Sequence, residues 1–226
     1  MLHRILVANW KSNKTEKEAI EWLTIFSNEM KHSIIPSNLD IVLCPPFPLL
    51  SMLRDYIQKE QLPLYLGAQE ISPFGKGAYT GEVSAETLKG LVQFVLVGHS
   101  ERRKYFEEKD EELAFESLQA HEGGLSVIYC VEGAENSVSA IADYIAYEPT
   151  VAIGSGKGEQ PSEANTVCTV LSKKHNGKPV CYGGSVDEKN CAAYLSQPSI
   201  HGLLVGGASL DAKRFCQMIQ AISSLT

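Results

Sequence analysis

Short apolar runs rich in Val, Ile and Leu alternate with longer segments of helical periodicity along the whole chain. The pattern predicts strands at residues 4–11, 40–45, 64–69, 94–99, 125–130, 144–148, 180–183 and 202–205. Between and after them it predicts helices at residues 15–31, 49–58, 84–90, 110–121, 136–143, 162–176, 187–195 and 211–224. Thr15 and Ser84 stand where N-caps belong. Apolar runs such as the one ending in Val97 suit strands covered on both faces, as in a parallel sheet. Successive β-then-α units cross right-handedly, and eight of them close most naturally into a (β/α)8 barrel. An open doubly wound sheet is the rival, but no G-x-G-x-x-G follows the first strand.

Composition narrows this only in places. The 226 residues, 44% of them apolar, can bury one sizeable core, and no Pro/Gly/Ser-rich linker divides the chain. Residues 1–226 are therefore expected to form a single α/β barrel domain. A net charge of −7 argues against nucleic acid, although a local basic site for a small anion stays open. No run is long enough to span a membrane, and the N-terminus enters a strand-like run without a signal-peptide layout. The six cysteines form no C-x-x-C pair, so reduced thiols in a cytoplasmic protein are expected. His3, His32, His121, His175 and His201 show no ligand spacing, so no metal is expected.

In a barrel the loops after the strands share one face, where catalysis occurs. The first strand ends in Ala8-Asn9-Trp10-Lys11, the fourth in Gly98-His99-Ser100-Glu101-Arg102-Arg103, and the sixth in Ala146-Tyr147-Glu148-Pro149. These supply an amide, a cation, an imidazole and a carboxylate. The last two strands end in Gly183-Gly184-Ser185 and Gly206-Gly207-Ala208-Ser209, where glycines permit close backbone approach to an anion. Each residue taken alone has a plainer reading: Glu148 as a rim ion-pair partner, Lys11 as a solvated lysine, His99 as a satisfied core histidine. Arg102 and Arg103 read as structural ion-pair partners, Trp10 and Trp22 as packing residues, and the charge run 107–112 as a solvated helix start.

The segments ANWK (8–11), GHSERR (98–103), YEP (147–149), AIGSGK (152–157), YGGS (182–185) and VGGASL (205–210) together resemble the triosephosphate isomerase family, in the family's order. The loop GAYTGEVS (77–84) resembles its third loop. The resemblance implies a cofactor-free aldose-ketose isomerase that interconverts dihydroxyacetone phosphate and D-glyceraldehyde 3-phosphate through an enediolate, in glycolysis and gluconeogenesis. It implies Glu148 as the base, His99 as the hydrogen-bonding electrophile, Lys11 as the compensating cation, Asn9 beside the oxygen site and Glu101 near the lysine. A neutral imidazole, an established feature of the family, is implied with them. The amides of Ser100–Arg103 at a helix start are compatible with it. Gly154, Ser185, Gly206 and Gly207 match the phosphate-holding positions, and Tyr182 and Ser185 match the latch of the mobile sixth loop. A homodimer is implied, with residues 72–82 and Thr80 at the interface, and a tetramer stays open beside it.

Several positions depart from that pattern. Thr150-Val151 replaces the usual Val-Trp, which is expected to change the kinetics of closure, and Gly158-Glu159 replaces Thr-Ala, which is expected to loosen the other hinge of the sixth loop. Val131-Glu132-Gly133 replaces a Gly-Glu ending, and the fifth helical region is short. A non-enzymatic phosphosugar-binding barrel and another phosphate-binding barrel enzyme are the alternative readings. The first is opposed by the intact Asn9, Lys11, His99 and Glu148, the second by the order of the motifs.

Overall fold

The structure is a computed structural model and describes residues 3–149 and 158–225. Eight parallel strands form a closed barrel in sequence order: β1 Arg4–Asn9, β2 Leu39–Cys44, β3 Tyr65–Ala68, β4 Phe94–Val97, β5 Ser126–Val131, β6 Tyr144–Tyr147, β7 Val180–Tyr182 and β8 Gly202–Val205. β1 closes the ring on β8, with Ile5 opposite Gly202 and Ala8 opposite Val205. The described helices are α1 Glu16–Met30, α2 Leu50–Lys59, α3 Ala85–Leu88, α4 Ser100–Tyr105, α5 Asp110–Glu122, α6 Pro161–Lys174, α7 Cys191–Leu195 and α8 Ala212–Ser223. Short 3₁₀ turns occupy Phe47–Leu49 and Gly207–Leu210.

Strand alternation explains why the runs are apolar throughout. Ile5, Val7, Val42, Phe94, Leu96, Ile128, Cys130, Ala146, Cys181 and Leu204 fill the barrel interior. Leu6, Ala8, Leu43, Val95, Val97, Ile145 and Leu203 point outward into the layer shared with the helices. There Trp22 and Phe26 of α1 stack at 5.2 Å, and Trp10 meets Trp22 edge-on at 5.2 Å. Burying each large apolar side chain contributes roughly 1.5–3 kcal/mol. All six cysteines are buried and unpaired. Among the described residues, no helix is long and apolar enough to cross a membrane.

Several local expectations are corrected. Residues 136–143 form turns, not a helix, and side chains hold the backbone that leads into them. Asn136 Oδ1 accepts from the amides of Glu132 (3.2 Å) and Gly133 (2.8 Å). Lys174 Nζ donates to the carbonyls of Ala134, Glu135 and Asn136. The helix start read at Ser100–Arg103, which the apolar pattern did not give as an element, is a helix of its own, α4, two residues after β4. The helix expected at 187–195 begins only at Cys191, since Asp187 Oδ1 accepts from the amides of Lys189 and Asn190 in a preceding turn. Thr15 caps α1 in a full capping box with Glu18. Ser84 sits at the N-cap of α3, but its hydroxyl bonds Thr87 Oγ1 at 2.9 Å, not a backbone amide.

Candidate active site

The same alternation carries the site. Continuing the inward-facing positions by one step leads from Val7 to Asn9, from Ala146 to Glu148, from Cys181 to Gly183 and from Leu204 to Gly206. All four line one cavity of about 400 Å³ at the barrel mouth, together with Lys11, His99, Ser185 and Gly207. His99 breaks the alternation. Gly98 adopts φ +69°, a left-handed turn that only glycine enters without strain, and this swings His99 to the cavity as the N-cap of α4. Lys11 likewise lies beyond β1 with φ +53°, so it reaches the mouth through a turn and not as a strand-face neighbour of Asn9.

Glu148 and His99 are both buried, 3% and 5% exposed. Glu148 Oε1 lies 3.0 Å from His99 Nε2, and its Oε2 accepts from the Ser100 amide at 3.0 Å. The Glu101 amide donates to His99 Nδ1 at 3.2 Å. An N–H aimed at Nδ1 makes that nitrogen the acceptor, so the ring proton sits on Nε2, facing the carboxylate. Burial alone would push the Glu148 carboxyl up. His99, the Ser100 amide and Lys11 together outweigh it and hold the group below its ordinary value.

Lys11 Nζ pairs with Glu101 Oε1 at 2.6 Å, and its amide donates to Asn9 Oδ1 at 2.9 Å. Gln69 fixes the same turn from β3's end, its Nε2 donating to the carbonyls of Lys11 (2.9 Å) and Cys44 (2.8 Å). Asn9, Lys11, His99, Glu101 and Glu148 thus meet as expected from their strand ends.

Opposite them, the two glycine pairs differ in cause. A Cβ on Gly183 would lie 3.0 Å from Glu148 Cγ, and one on Gly184 would lie 2.2 Å from the Tyr182 hydroxyl. That pair is set by packing against the site. A Cβ on Gly206 would approach Lys11 Cε at 3.3 Å, whereas Gly207 faces open space within the cavity lining. Gly207 is the most exposed of the four, and all four line the cavity. Ser209 Oγ bonds the Gly206 carbonyl at 2.6 Å and closes that turn.

The sequence profile of the family described as Triosephosphate isomerase matches residues 4–222. A triosephosphate isomerase of Mesomycoplasma hyopneumoniae is 37% identical, with 96% of this chain and 99% of the relative covered. Those of Gloeobacter violaceus and Thermus thermophilus are 36% and 34% identical, with 97% of this chain and 98% and 99% of the relatives covered. The chain belongs to the triosephosphate isomerase family.

For a member of the triosephosphate isomerase family, the end of the sixth loop departs from expectation in the opposite sense to loosening. The Glu159 amide donates to the Tyr182 hydroxyl at 3.1 Å, its carbonyl accepts from the Tyr194 hydroxyl at 2.6 Å, and its Oε1 accepts from the Tyr147 hydroxyl at 3.0 Å. Tyr182 and Tyr194 stack at 4.3 Å. Gly158 packs so tightly here that a Cβ would fall 2.4 Å from the Tyr194 hydroxyl. Three tyrosines therefore pin the Gly158-Glu159 hinge. Thr150-Val151, Gly154 and the AIGSGK segment lie outside the described residues.

Three features were missed from the sequence. Gln69 orients Lys11, and a polar amide ending a buried strand was the available signal. Cys130 is buried against Glu148, and burial with that carboxylate raises its thiol well above the ordinary value. The third is an acidic cluster: Arg102 is an ion-pair partner as expected, but of both Glu70 and Glu108, and Glu116 lies with them, buried, with Oε2 lacking a hydrogen-bond partner. The Glu108 side chain is only 7% exposed, so the run 107–112 is not solvated throughout. Glu70, Glu108 and Glu116 are the one group among the described residues that brings three possible metal ligands together. The neighbouring Arg103 follows the structural reading: Nε donates to the Gly98 carbonyl at 2.8 Å and Nη1 pairs with Asp110 at 2.9 Å.

Proposed function

We propose that this chain is an active isomerase that interconverts dihydroxyacetone phosphate and D-glyceraldehyde 3-phosphate without a cofactor. The carrying observation is the contact between Glu148 Oε1 and His99 Nε2 inside a cavity that also holds Lys11. On binding, the substrate carbonyl oxygen takes over the Nε2–H that Glu148 now accepts. The freed carboxylate removes a proton from the carbon beside the carbonyl. The electron pair left behind moves onto the carbonyl oxygen, giving an enediolate, and His99 and Lys11 stabilise its charge. Asn9 flanks that oxygen, and Glu101 holds the ammonium group in place through its 2.6 Å contact. The proton of the neighbouring hydroxyl passes to the enediolate oxygen, relayed by His99 Nε2, so that the deprotonated oxygen becomes the new carbonyl as protonated Glu148 returns its proton to the adjacent carbon. Net charge and composition are unchanged, as an isomerisation requires.

The phosphate is assigned to the backbone of Ser185, Gly206 and Gly207, joined by Gly154 of the sixth loop. A phosphate site between the last two barrel loops is common in this architecture. Tyr182 acts as the latch, which its bond to Glu159 supports. The same reading makes the protein a cytoplasmic enzyme of glycolysis and gluconeogenesis.

The assembly belongs to the proposal as a homodimer through residues 72–82, with Thr80 at the contact. Phe74 and Tyr79 support it: they stack at 4.3 Å on that loop yet stay nearly half exposed. A coupled assay with glyceraldehyde 3-phosphate tests the activity. Binding of a phosphoglycolate-like anion with no turnover would favour the phosphosugar-binding reading instead. Sedimentation of the full chain tests the dimer, and a monomer at micromolar concentration removes it.

A further inference from the structure

The cavity has a cation that the motifs do not supply. Among its described lining residues the positive side chains are Lys11 and Arg214, and the negative ones are Glu148 and Asp187. Lys11 reaches in from the end of β1 and is already paired with Glu101. Arg214 comes from the first turn of α8, on the side of Ser185, Gly206 and Gly207. Its amide is held by Asp211 Oδ1 at 3.1 Å, which fixes the helix start and with it the root of the side chain.

The Arg214 Nε donates to Glu188 Oε2 at 2.8 Å. Glu188 sits in the turn after β7, three residues beyond Ser185, so this one pair spans the two loops assigned to the phosphate. The guanidinium has five N–H donors, and Glu188 takes the one on Nε. The Arg214 side chain is 43% exposed and that of Glu188 17%, so the guanidinium stays open to solvent on one side and a doubly charged anion can compete for it there. Asp187 does not take that role: its Oδ1 accepts from the Lys189 and Asn190 amides.

We propose that Arg214 is a further substrate-recognising residue, which attracts and holds the phosphate dianion at the rim of the cavity, and that Glu188 tunes it by competing for the same guanidinium. This rests on the assignment of the phosphate to the loops after β7 and β8. It deepens that assignment by naming a side-chain cation in a site otherwise made of backbone. In a protein of net charge −7, a local cation at the mouth also offsets the general repulsion of an anionic substrate.

A charge role and a merely structural clip between the two loops predict different signs. If Arg214 only ties the loops, Arg214→Gln and Glu188→Gln both loosen them and shift kinetics the same way. If it recognises phosphate, the two variants move in opposite directions. At low salt, Arg214→Gln is expected to raise KM about 3–10-fold with kcat within about twofold, the signature of lost binding shared by ground and transition states. Competitive inhibition by inorganic phosphate should weaken by a similar factor. Glu188→Gln should lower KM and tighten phosphate inhibition. Arg214→Lys should restore part of the loss, and the salt dependence of kcat/KM should flatten in Arg214→Gln.

An unchanged KM and phosphate inhibition constant in Arg214→Gln, or equal shifts in both variants, would overturn the inference. A wild-type chain without isomerase activity would instead overturn the reading beneath it. Calorimetric binding of inorganic phosphate to the same variants would still decide the role of Arg214.

Discussion

Glu148 and His99, 49 residues apart in sequence, meet at the barrel mouth with Oε1 3.0 Å from Nε2. Each is oriented by the backbone of α4: the Ser100 amide holds Glu148 Oε2, and the Glu101 amide holds His99 Nδ1. The helix start therefore sets both the aim of the base and the tautomer of the ring.

Removing either partner should cost chemistry more than stability. Glu148→Gln keeps the shape and the bond from Ser100 but cannot accept a proton, so kcat should fall by about 10³-fold or more. His99→Ala should cost about 10²–10³-fold, because it removes one donor to the developing oxyanion. Circular dichroism and the thermal midpoint should stay close to wild type. Near-normal turnover in Glu148→Gln would sink the assignment of the base.

The hinge after the sixth loop should answer to Tyr194, which does not line the cavity. Tyr194→Phe deletes the 2.6 Å bond to the Glu159 carbonyl while leaving the stack on Tyr182. The expected loss is about 0.5–1.5 kcal/mol of stability, with faster backbone hydrogen exchange near Glu159. Unchanged exchange in that stretch would show that the tyrosine does not pin the hinge.

The buried acidic cluster should make stability fall at high pH. Burial and then the neighbouring carboxylates, against Arg102, raise Glu70 to about 9. Burial and then Glu108 raise Glu116 to about 8. The folded state thus holds protons that the unfolded chain releases near 4.5. That contribution is fully present below the unfolded value and is lost as pH rises through 8–9. The thermal midpoint of the wild type should drop between pH 6 and pH 10, and Glu116→Gln should flatten the drop and be the more stable protein at pH 9. A wild-type midpoint that holds or rises over that window contradicts the cluster's protonation.

Barrel closure depends on a missing side chain. A Cβ on Gly202 would lie 2.5 Å from Ile5 Cγ2, 2.6 Å from Cys181 Sγ and 2.6 Å from the Ile5 carbonyl oxygen. The last is backbone and cannot turn aside, so Gly202→Ala must part β8 from β1. Roughly 1–3 kcal/mol or more is expected to be lost, lowering the thermal midpoint by about 2–4 °C for each kcal/mol. A midpoint equal to wild type would show that the ring yields there without cost.

Much of the site was legible because its residues stand at strand ends, and a parallel barrel puts all such ends on one face. Asn9, Glu148 and Gly206 follow from counting in twos along apolar strands. Thr15 was readable for a similar reason, since a capping box is a local pattern completed by Glu18. What failed was local structure decided by distant groups. The helix expected at 136–143 is replaced by turns where Lys174, from a different element, takes the carbonyls of Ala134, Glu135 and Asn136 at its start. The hinge at Gly158-Glu159 looked loose because its three tyrosine partners come from β6, β7 and α7.

Strand and helix periodicity, the order of the motifs and the residue types at each strand's end are set by neighbours along the chain, and the sequence alone determined them. Only the tertiary structure decided which of these groups touch. Gly98's left-handed turn brings His99 to Glu148, Gln69 steadies Lys11, Arg214 enters the cavity from α8, and three acids crowd around Arg102. Such contacts depend on angles and distances between elements far apart in the chain. Closure of the barrel fixes them, whereas no spacing of letters encodes them.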